Sequence, residues 1–489
     1  MKTHIVYQVL LAASIIFSCG SALIAQIPTI SIQSNEEIVD EPKVPATFIY
    51  TGVNGEIISS SIGIEIRGGF SQTYPKKTYD IEFWNDATGT ETLDVQFGDL
   101  REDDDWVLDA MYNEPLRINS YIAHKLWLDM NQLHYANQEP NAKSGADVMY
   151  VEVSINNVYQ GIYLLSEQID RFQLKLKKPS NNLLRGELYK GYAWDDAVLF
   201  NNPDESPNNN SLTWSGYEYR FPKDLVDWSN VSELIAFVAN STDDAFSADI
   251  ANRFDLNNLM DYFILLNLAR ILDNRGKNIY LCRYDADDPY FFAPWDLDGS
   301  WGLLWNGNND TTTEGILSNN LYDRLISNDV DDFRQKLADR WHEMRSTLIS
   351  DDALEDKILT ANQFLKDNDI YDKEGGAWDY EYSDSKLNYI FNWLEDRLEY
   401  LDEYFDNITN VDYTQNESTL KVYPNPAQDF ILISGEFNKN KVVTIYNVLG
   451  EVKSRYTRLN LESRINIEPF NSGLYIVEIG SFKSMFYKL

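Results

Sequence analysis

The chain has 489 residues, of which 41 are Lys or Arg and 77 are Asp or Glu, so its formal net charge is −36. A hydrophobic fraction of 44% with 13% aromatic residues excludes a disordered acidic protein, because this much apolar material can build a core. The acidic excess argues against nucleic-acid binding, which needs a basic face. Only four His and two Cys occur, in no zinc-binding pattern, so any catalysis depends on carboxylates, Lys, Arg and Asn.

Residues 1–25 are typical of a secretory signal peptide, with an early Lys, a largely apolar run over residues 5–17 and then small residues. The run is too short for a permanent membrane helix, and we expect no membrane span elsewhere. A lipoprotein acylated at Cys19 is the alternative. Removal of the peptide leaves Cys282 as the only thiol, so we expect an exported protein without an intramolecular disulfide.

The first predicted strands flank a loop with cations at both ends. Residues 62–66 and 78–83 alternate as strands, and the loop between them begins with Arg67 and ends with Lys76 and Lys77. Such a loop could wrap phosphate groups through backbone N–H donors and positive charges. An ordinary hairpin with a solvated Lys pair is the alternative.

A second hairpin is predicted over residues 151–167. Residues 151–155 and 158–165 alternate on either side of an Asn156-Asn157 turn, and the second strand ends at Glu167. With the helix predicted upstream from residue 116, this part of the chain has an α+β pattern.

The most informative segment covers residues 254–302. An apolar helix is predicted to end before Asp273, and a hairpin over residues 279–292 separates Asn278 from Asp296 and Asp298. The hairpin can bring the two polar loops together. Two oxygen ligands with a spare carboxylate match what magnesium-assisted phosphoryl transfer requires.

Other roles for these Asp and Asn residues stay open at this point. Loop Asp and Asn residues are usually turn-formers and helix caps. A calcium site could use the same oxygens, although Asp296-Leu297-Asp298-Gly299 departs from the EF-hand pattern. Paired carboxylates could also serve a glycosidase.

The remaining helical patterns cover residues 329–348, 352–365 and 383–404. In the last of them the apolar residues recur at core spacing, so we interpret these helices as packing elements without chemistry.

A change of charge marks a domain boundary. Residues 26–420 hold 31 basic and 71 acidic side chains, a net of −40, whereas residues 421–489 hold nine basic and six acidic ones, a net of +3. A polar stretch over residues 408–420 indicates a linker. We therefore expect a large domain over residues 26–407 and a small one over residues 421–489.

The small domain alternates in short strands with Asn- and Gly-containing turns, which predicts a β-sandwich. It resembles the C-terminal sorting domain of type IX secretion in the run from Val422 to Ala427, the turn from Ile445 to Gly450, the run from Ser472 to Val477 and the Lys488-Leu489 end. The resemblance implies an all-β, immunoglobulin-like domain that the type IX secretion machinery recognises. It also implies that the protein is secreted or held on the outer cell surface. A generic β-sandwich binding module is the alternative.

Several sequence blocks, which follow one another in order over roughly residues 28–405, resemble the CotH family of atypical, kinase-like secreted proteins. The matching blocks are Ile66-Arg67-Gly68, Pro75-Lys76-Lys77-Thr78-Tyr79, Asp104-Asp105-Trp106-Val107-Leu108, Leu116-Arg117-Ile118-Asn119, the run from Tyr159 to Ile169, Asp273-Asn274-Arg275-Gly276-Lys277-Asn278 and Pro294-Trp295-Asp296-Leu297-Asp298. The resemblance implies a divergent two-lobed protein-kinase-like fold that transfers phosphate from ATP, with Mg²⁺ or Mn²⁺, to Ser or Thr hydroxyls. By position, Asp273 would be the catalytic carboxylate, and Asn278 and Asp296, with Asp298 assisting, would hold the metal.

The same resemblance assigns the nucleotide contacts. Lys76 or Lys77 would contact the phosphates, Arg67 would serve the phosphate-facing loop, and Glu167 would either pair with the Lys or line the nucleotide pocket. Gly69-Phe70-Ser71 departs from the Ser-Ser or Asn-Ser that many members have after the Arg-Gly step. This departure puts the hydroxyl contacts of the loop in doubt.

Two functions of different classes follow. The first is a secreted kinase with a protein substrate on or outside the cell. The second is a cell-surface adhesion or structural protein on a catalytically silent kinase-like scaffold, which the scarcity of extracellular ATP favours. A glycosidase is a third and weaker hypothesis, because it gives Lys76, Lys77 and Asn278 no role.

Overall fold

The computed structural model describes residues 26–181, 183–203, 205–410, 421–434, 443–447, 451–456, 464–479 and 482–489. The chain divides into two compact units, Met1–Thr409 and Asn410–Leu489. The predicted signal peptide and most of the predicted linker lie outside the described residues. Within those residues, no helix combines the length and the apolar character that crossing a membrane would require.

The first unit begins with a closed β-barrel, which the sequence did not predict. Its strands are β1 (Thr29–Ser34), β2 (Val44–Thr51), β3 (Ile57–Ile66), β4 (Tyr79–Trp84), β5 (Asp105–Asp109), β6 (Val148–Ile155) and β7 (Val158–Glu167), with helix α1 (Asn119–Met130) between β5 and β6. The strand order is β1-β2-β3-β4-β5-β7-β6, and β1 closes the barrel by pairing with β6 in parallel. Large apolar side chains, among them Phe48, Phe83 and Trp106, fill the interior.

A second sheet and a set of helices complete this unit. The strands are β8 (Glu187–Gly191), β9 (Thr213–Trp214), β10 (Tyr217–Phe221), β11 (Ile279–Arg283) and β12 (Tyr290–Pro294), in the order β12-β11-β8-β10-β9. The helices are α2 (Ser229–Asn240), α3 (Asp243–Arg253), α4 (Leu256–Leu268), α5 (Asn320–Asn328), α6 (Phe333–Arg345), α7 (Asp351–Asp367), α8 (Ile370–Trp378) and α9 (Asp384–Asn407). Helix α4 is apolar on nearly all sides, and it is correspondingly buried in the core between this sheet and the other helices.

The strand period determines which barrel residues face the helices. Val107 of β5 and Val148 of β6 both lie beside Ser166 of β7 in the sheet register. Their chain neighbours Leu108 and Leu165 fill the barrel, so these three side chains point to the outer face. This outer face forms one wall of the candidate site.

The second unit is all-β in its described residues. Strands β13 (Lys421–Tyr423), β14 (Phe430–Ser434) and β17 (Ile465–Asn466) form one sheet, and β15 (Val443–Asn447), β16 (Val452–Tyr456), β18 (Gly473–Ile479) and β19 (Phe482–Lys488) form another. Ile431, Ile445 and Phe486 share one core. The predictions of a mixed α and β domain and of an all-β tail are confirmed, whereas the two-lobed kinase-like arrangement stays a prediction.

Candidate active site

A cavity of about 850 Å³ lies in the first unit, between the outer face of the barrel and the base of the β11–β12 hairpin. Its lining includes Arg67 and Lys76 from the β3–β4 loop, Asp109 at the end of β5, and the loops that carry Asp273 and Asp296. We call this cavity the cleft.

The base of the β11–β12 hairpin brings Asn278 and Asp296 together. The strand pairing places Ile279 opposite Pro294, and the backbone N–H of Trp295 donates to the carbonyl of Asn278 at 3.0 Å. Asn278 Nδ2 then donates to Asp296 Oδ2 at 3.0 Å. Both residues have positive φ, 56° and 58°, a backbone conformation that Asn and Asp tolerate better than most residues.

Asp273 enters the cleft from a short 3-10 turn that follows α4. Its Oδ2 lies 3.6 Å from Lys277 Nζ. The next residue, Asn274, is buried, and its side chain donates to the carbonyls of Asn278 and Trp295 at 2.8 and 3.0 Å. Asn274 therefore holds the two polar loops in register, a role that the sequence analysis did not assign.

Asp298 lies beside Asp296 and is held from the other side of the cleft. Its Oδ2 accepts a 2.6 Å hydrogen bond from Asn113, whose amide also donates to the carbonyl of Trp305 at 2.8 Å. Burial raises the pKa of Asp298 well above its ordinary range, and the neighbouring Asp296 charge raises it further. The position thus favours a positive charge close to the two carboxylates.

The Asp296 side chain is exposed to the cleft and is partly desolvated by the cleft walls. This desolvation raises its pKa, with a smaller contribution from Asp273, against the opposing attraction of Lys190, Lys277 and Arg67. Because Asn278 uses its amide nitrogen to bind Asp296, its amide oxygen stays available. Carboxylate and amide oxygens are the ligands that a hard divalent cation such as Mg²⁺ prefers, so the residues present fit the metal.

Lys76 is buried at the opposite wall and belongs to a group that we call the ion cluster: Lys76, Arg117 and Glu374. Glu374 of α8 accepts from Lys76 Nζ at 2.8 Å and from Arg117 Nε and Nη2 at 3.1 Å each. Burial lowers the pKa of Lys76 to about 8, although Glu374 opposes this shift. The pKa of Glu374 is also lowered, because its two cations together outweigh the cost of burying the carboxylate. Glu374 is therefore the ionised centre of the cluster.

Glu167 has neither of the two roles suggested from the sequence, which were to pair with the Lys or to line the nucleotide pocket. It lies opposite Trp106 in the barrel register, so the strand alternation turns it to the other side of the sheet from Ser166. Its buried carboxylate accepts from Lys143 Nζ at 2.6 Å and from Gln173 at 2.7 Å. It neither contacts Lys76 nor lines the cleft, and Glu374 makes the expected ion pair instead.

The other predicted cations separate into two groups. Arg67 lines the cleft, where its Nη1 pairs with Asp80 at 3.0 Å. Lys77 points away and donates to the carbonyl of Gln72 at 2.7 Å, which fastens the loop on itself. Lys190 of β8 and Lys277 also line the cleft. Lys190 could not be recognised from the sequence, because it lies in a short strand without a motif that indicates function.

The first unit is thus a mixed α/β domain with an enzyme-like cleft in which carboxylates, amides and cations converge. The chain belongs to the CotH family, since the family model described as CotH kinase protein matches residues 64–401. A second model, described as a secretion system C-terminal sorting domain, matches residues 421–488, which indicates a secreted or cell-surface protein that secretion machinery handles. No curated protein matches the sequence significantly.

Proposed function

We propose that this chain is a secreted protein kinase that transfers phosphate from ATP to Ser or Thr hydroxyls of secreted or surface proteins, with Mg²⁺ or Mn²⁺ as the cofactor. The observation that carries the proposal is the convergence of Asn278 and Asp296, 3.0 Å apart, with Asp273 in the same cleft as Arg67 and Lys76. Family membership supports it. A two-lobed kinase-like architecture, with the barrel as one lobe and the helices as the other, belongs to the same proposal.

In this proposal each residue has a defined task. Asn278 and Asp296, assisted by Asp298, hold the metal, which neutralises phosphate charge when it is bound. Arg67 and Lys277 bind and orient the phosphates, and Lys76, whose side chain is fully buried in the ion cluster, supports the wall of the cleft beside them.

Asp273 accepts the proton of the substrate hydroxyl as that oxygen bonds to the γ-phosphorus and ADP leaves. Its Oδ2 lies 3.6 Å from Lys277 Nζ, so the carboxylate is held beside a cation in the cleft.

The test is a calorimetric titration of the purified chain with ATP and Mg²⁺, followed by phosphate incorporation into the chain itself and into a secreted extract. We expect Asp296→Ala to lose metal-dependent ATP binding and phosphate transfer. The matched control is Asp287→Ala, which alters an exposed Asp at the far end of the same hairpin and should retain both activities.

Absence of ATP binding by the wild-type chain would refute the kinase proposal and leave the silent-scaffold hypothesis. Transfer activity that survives in Asp296→Ala would refute the assignment of the metal site.

A further inference from the structure

The outer barrel face contributes a small apolar patch to the wall of the cleft, and the carboxylates Asp80 and Asp109 flank it in the sheet register. Val107, Ser166 and Val148 lie side by side on the outer barrel face, and Leu164 lies on the same face two residues before Ser166. All four line the cleft, and so does His124 of α1. The remaining lining carries most of the charges, so the cleft combines a charged part with a largely apolar part.

His124 is a polar side chain of this wall whose hydrogen bonding is incomplete at one ring nitrogen. The side chain is only 6% exposed, and its Nδ1 atom is buried without a hydrogen-bond partner among the described residues. Buried polar groups in folded proteins are nearly always paired, either with protein or with ordered water. Burial lowers the pKa of His124 to about 4, so at neutral pH the ring is uncharged and offers one donor and one acceptor.

Ser166 supplies the second polar group. Its hydroxyl donates to the carbonyl of Glu167 at 2.9 Å, which leaves the oxygen lone pairs to accept a bond from elsewhere. The ring of His124 also lies edge to face against Trp295, with centroids 6.4 Å apart, which fixes its orientation next to the loop that carries Asp296. The patch therefore presents a donor and an acceptor beside apolar side chains.

We propose that His124 and Ser166 hydrogen-bond the purine base of the nucleotide, which packs against Val107 and Val148 while its phosphates extend to Arg67 and Lys277. The inference rests on the proposed kinase function. A nucleotide suits both parts of the cleft, because it has a polyanionic end and a planar end with hydrogen-bonding edges. Inorganic polyphosphate would use only the charged part.

The experiment compares the affinities of the full-length chain for ATP and for inorganic tripolyphosphate, both with Mg²⁺, by calorimetry. His124→Leu should weaken ATP binding about tenfold or more, since a base edge loses its partner, and should leave tripolyphosphate binding unchanged. Ser166→Ala should act in the same direction. His342→Leu is the matched control, because it makes the same substitution at an exposed His on α6 outside the cleft. If His124→Leu fails to fold, the ATP and tripolyphosphate affinities of Ser166→Ala test the inference instead.

The outcomes separate this inference from the proposed function. Selective loss of ATP affinity, with tripolyphosphate affinity preserved, supports the inference. A wild-type chain that binds ATP, with variants that bind it equally well, overturns the inference and leaves the kinase proposal intact. A wild-type chain that binds tripolyphosphate as tightly as ATP also overturns it. A wild-type chain that binds neither ligand refutes the proposed function itself.

Discussion

Replacement of Glu374 by Gln tests whether the ion cluster holds the barrel and α8 together. The Glu374 carboxylate accepts from Lys76 Nζ and from the backbone N–H of Ile162, each at 2.8 Å, and from two nitrogens of Arg117 at 3.1 Å. Glu374→Gln keeps the size of the side chain but removes the only negative charge in the cluster. Its new NH₂ group must then face donors, because every partner of Glu374 is a donor.

The expected loss follows from what remains buried. Lys76 and Glu374 have fully buried side chains, and Arg117 is 2% exposed, so solvent cannot compensate the two remaining cations. Removing one partner from a buried ion pair costs about 3–5 kcal/mol. We expect Glu374→Gln to lower the free energy of unfolding of the first unit by about this amount, and Lys76→Met by less, because Arg117 still pairs with Glu374.

Urea unfolding followed by tryptophan fluorescence measures this loss specifically. All 12 Trp residues precede residue 410, so the signal reports the first unit and not the tail. Asp372→Asn is the matched control, since it converts an exposed acid on the same helix and should change stability by less than about 0.5 kcal/mol. A Glu374→Gln protein within about 1 kcal/mol of the wild type would show that Glu374 is not the ionised centre of the cluster.

Two further predictions concern a glycine and a buried acid. Gly161 has a φ of 101°, and a Cβ added there would lie 2.0 Å from Glu374 Oε1. Gly161→Ala should therefore destabilise the first unit by several kcal/mol more than the control Gly55→Ala, where φ is also positive (79°) but the surrounding space is open. Equal losses of stability in urea unfolding would refute the steric argument. Burial raises the pKa of Glu114 from 4.5 to about 8, so between these values the folded state holds a proton that the unfolded state has lost. Stability should therefore fall as the pH rises from 5.5 to 7.5, by up to about 1.4 kcal/mol per pH unit from this group, and Glu114→Gln should flatten the dependence; an unchanged slope in the variant would contradict the assignment.

The parts of the fold that could be predicted from the sequence are those that depend on local patterns. The hairpin predicted over residues 151–167 is β6 and β7, and the hairpin between the two polar loops is β11 and β12. Alternation and turn residues determine such hairpins within about a dozen residues of chain. Closure of the barrel could not be predicted, because β1 pairs with β6 at Thr29 and Glu152, which are far apart in sequence.

The same distinction applies to the candidate site. Asn278 and Asp296 could be placed together because one hairpin connects them. The partner of Lys76 could not, because Glu374 lies 298 residues further along the chain, on α8. That helix falls between the helices predicted over residues 352–365 and 383–404, so no helix was expected there. Lys76 and Lys77 were left as alternatives, and their partners distinguish them, because Lys76 pairs with the distant Glu374 whereas Lys77 donates to the carbonyl of Gln72 in its own loop.

The charge of the cleft gives the proposed metal a physical reason. Among the described residues, its lining holds eight carboxylates and four cations, namely Asp40, Glu41, Glu65, Asp80, Asp109, Asp273, Asp296 and Asp298 against Arg67, Lys76, Lys190 and Lys277. The formal excess is four negative charges, within a chain whose net charge is −36. A polyphosphate without a cation would therefore enter an unfavourable potential, and the two adjacent carboxylates at Asp296 and Asp298 are where a divalent cation would relieve it most. If the chain acts as the proposed kinase, the same potential favours a neutral or basic protein substrate over an acidic one, because the substrate hydroxyl would approach Asp273 through this field.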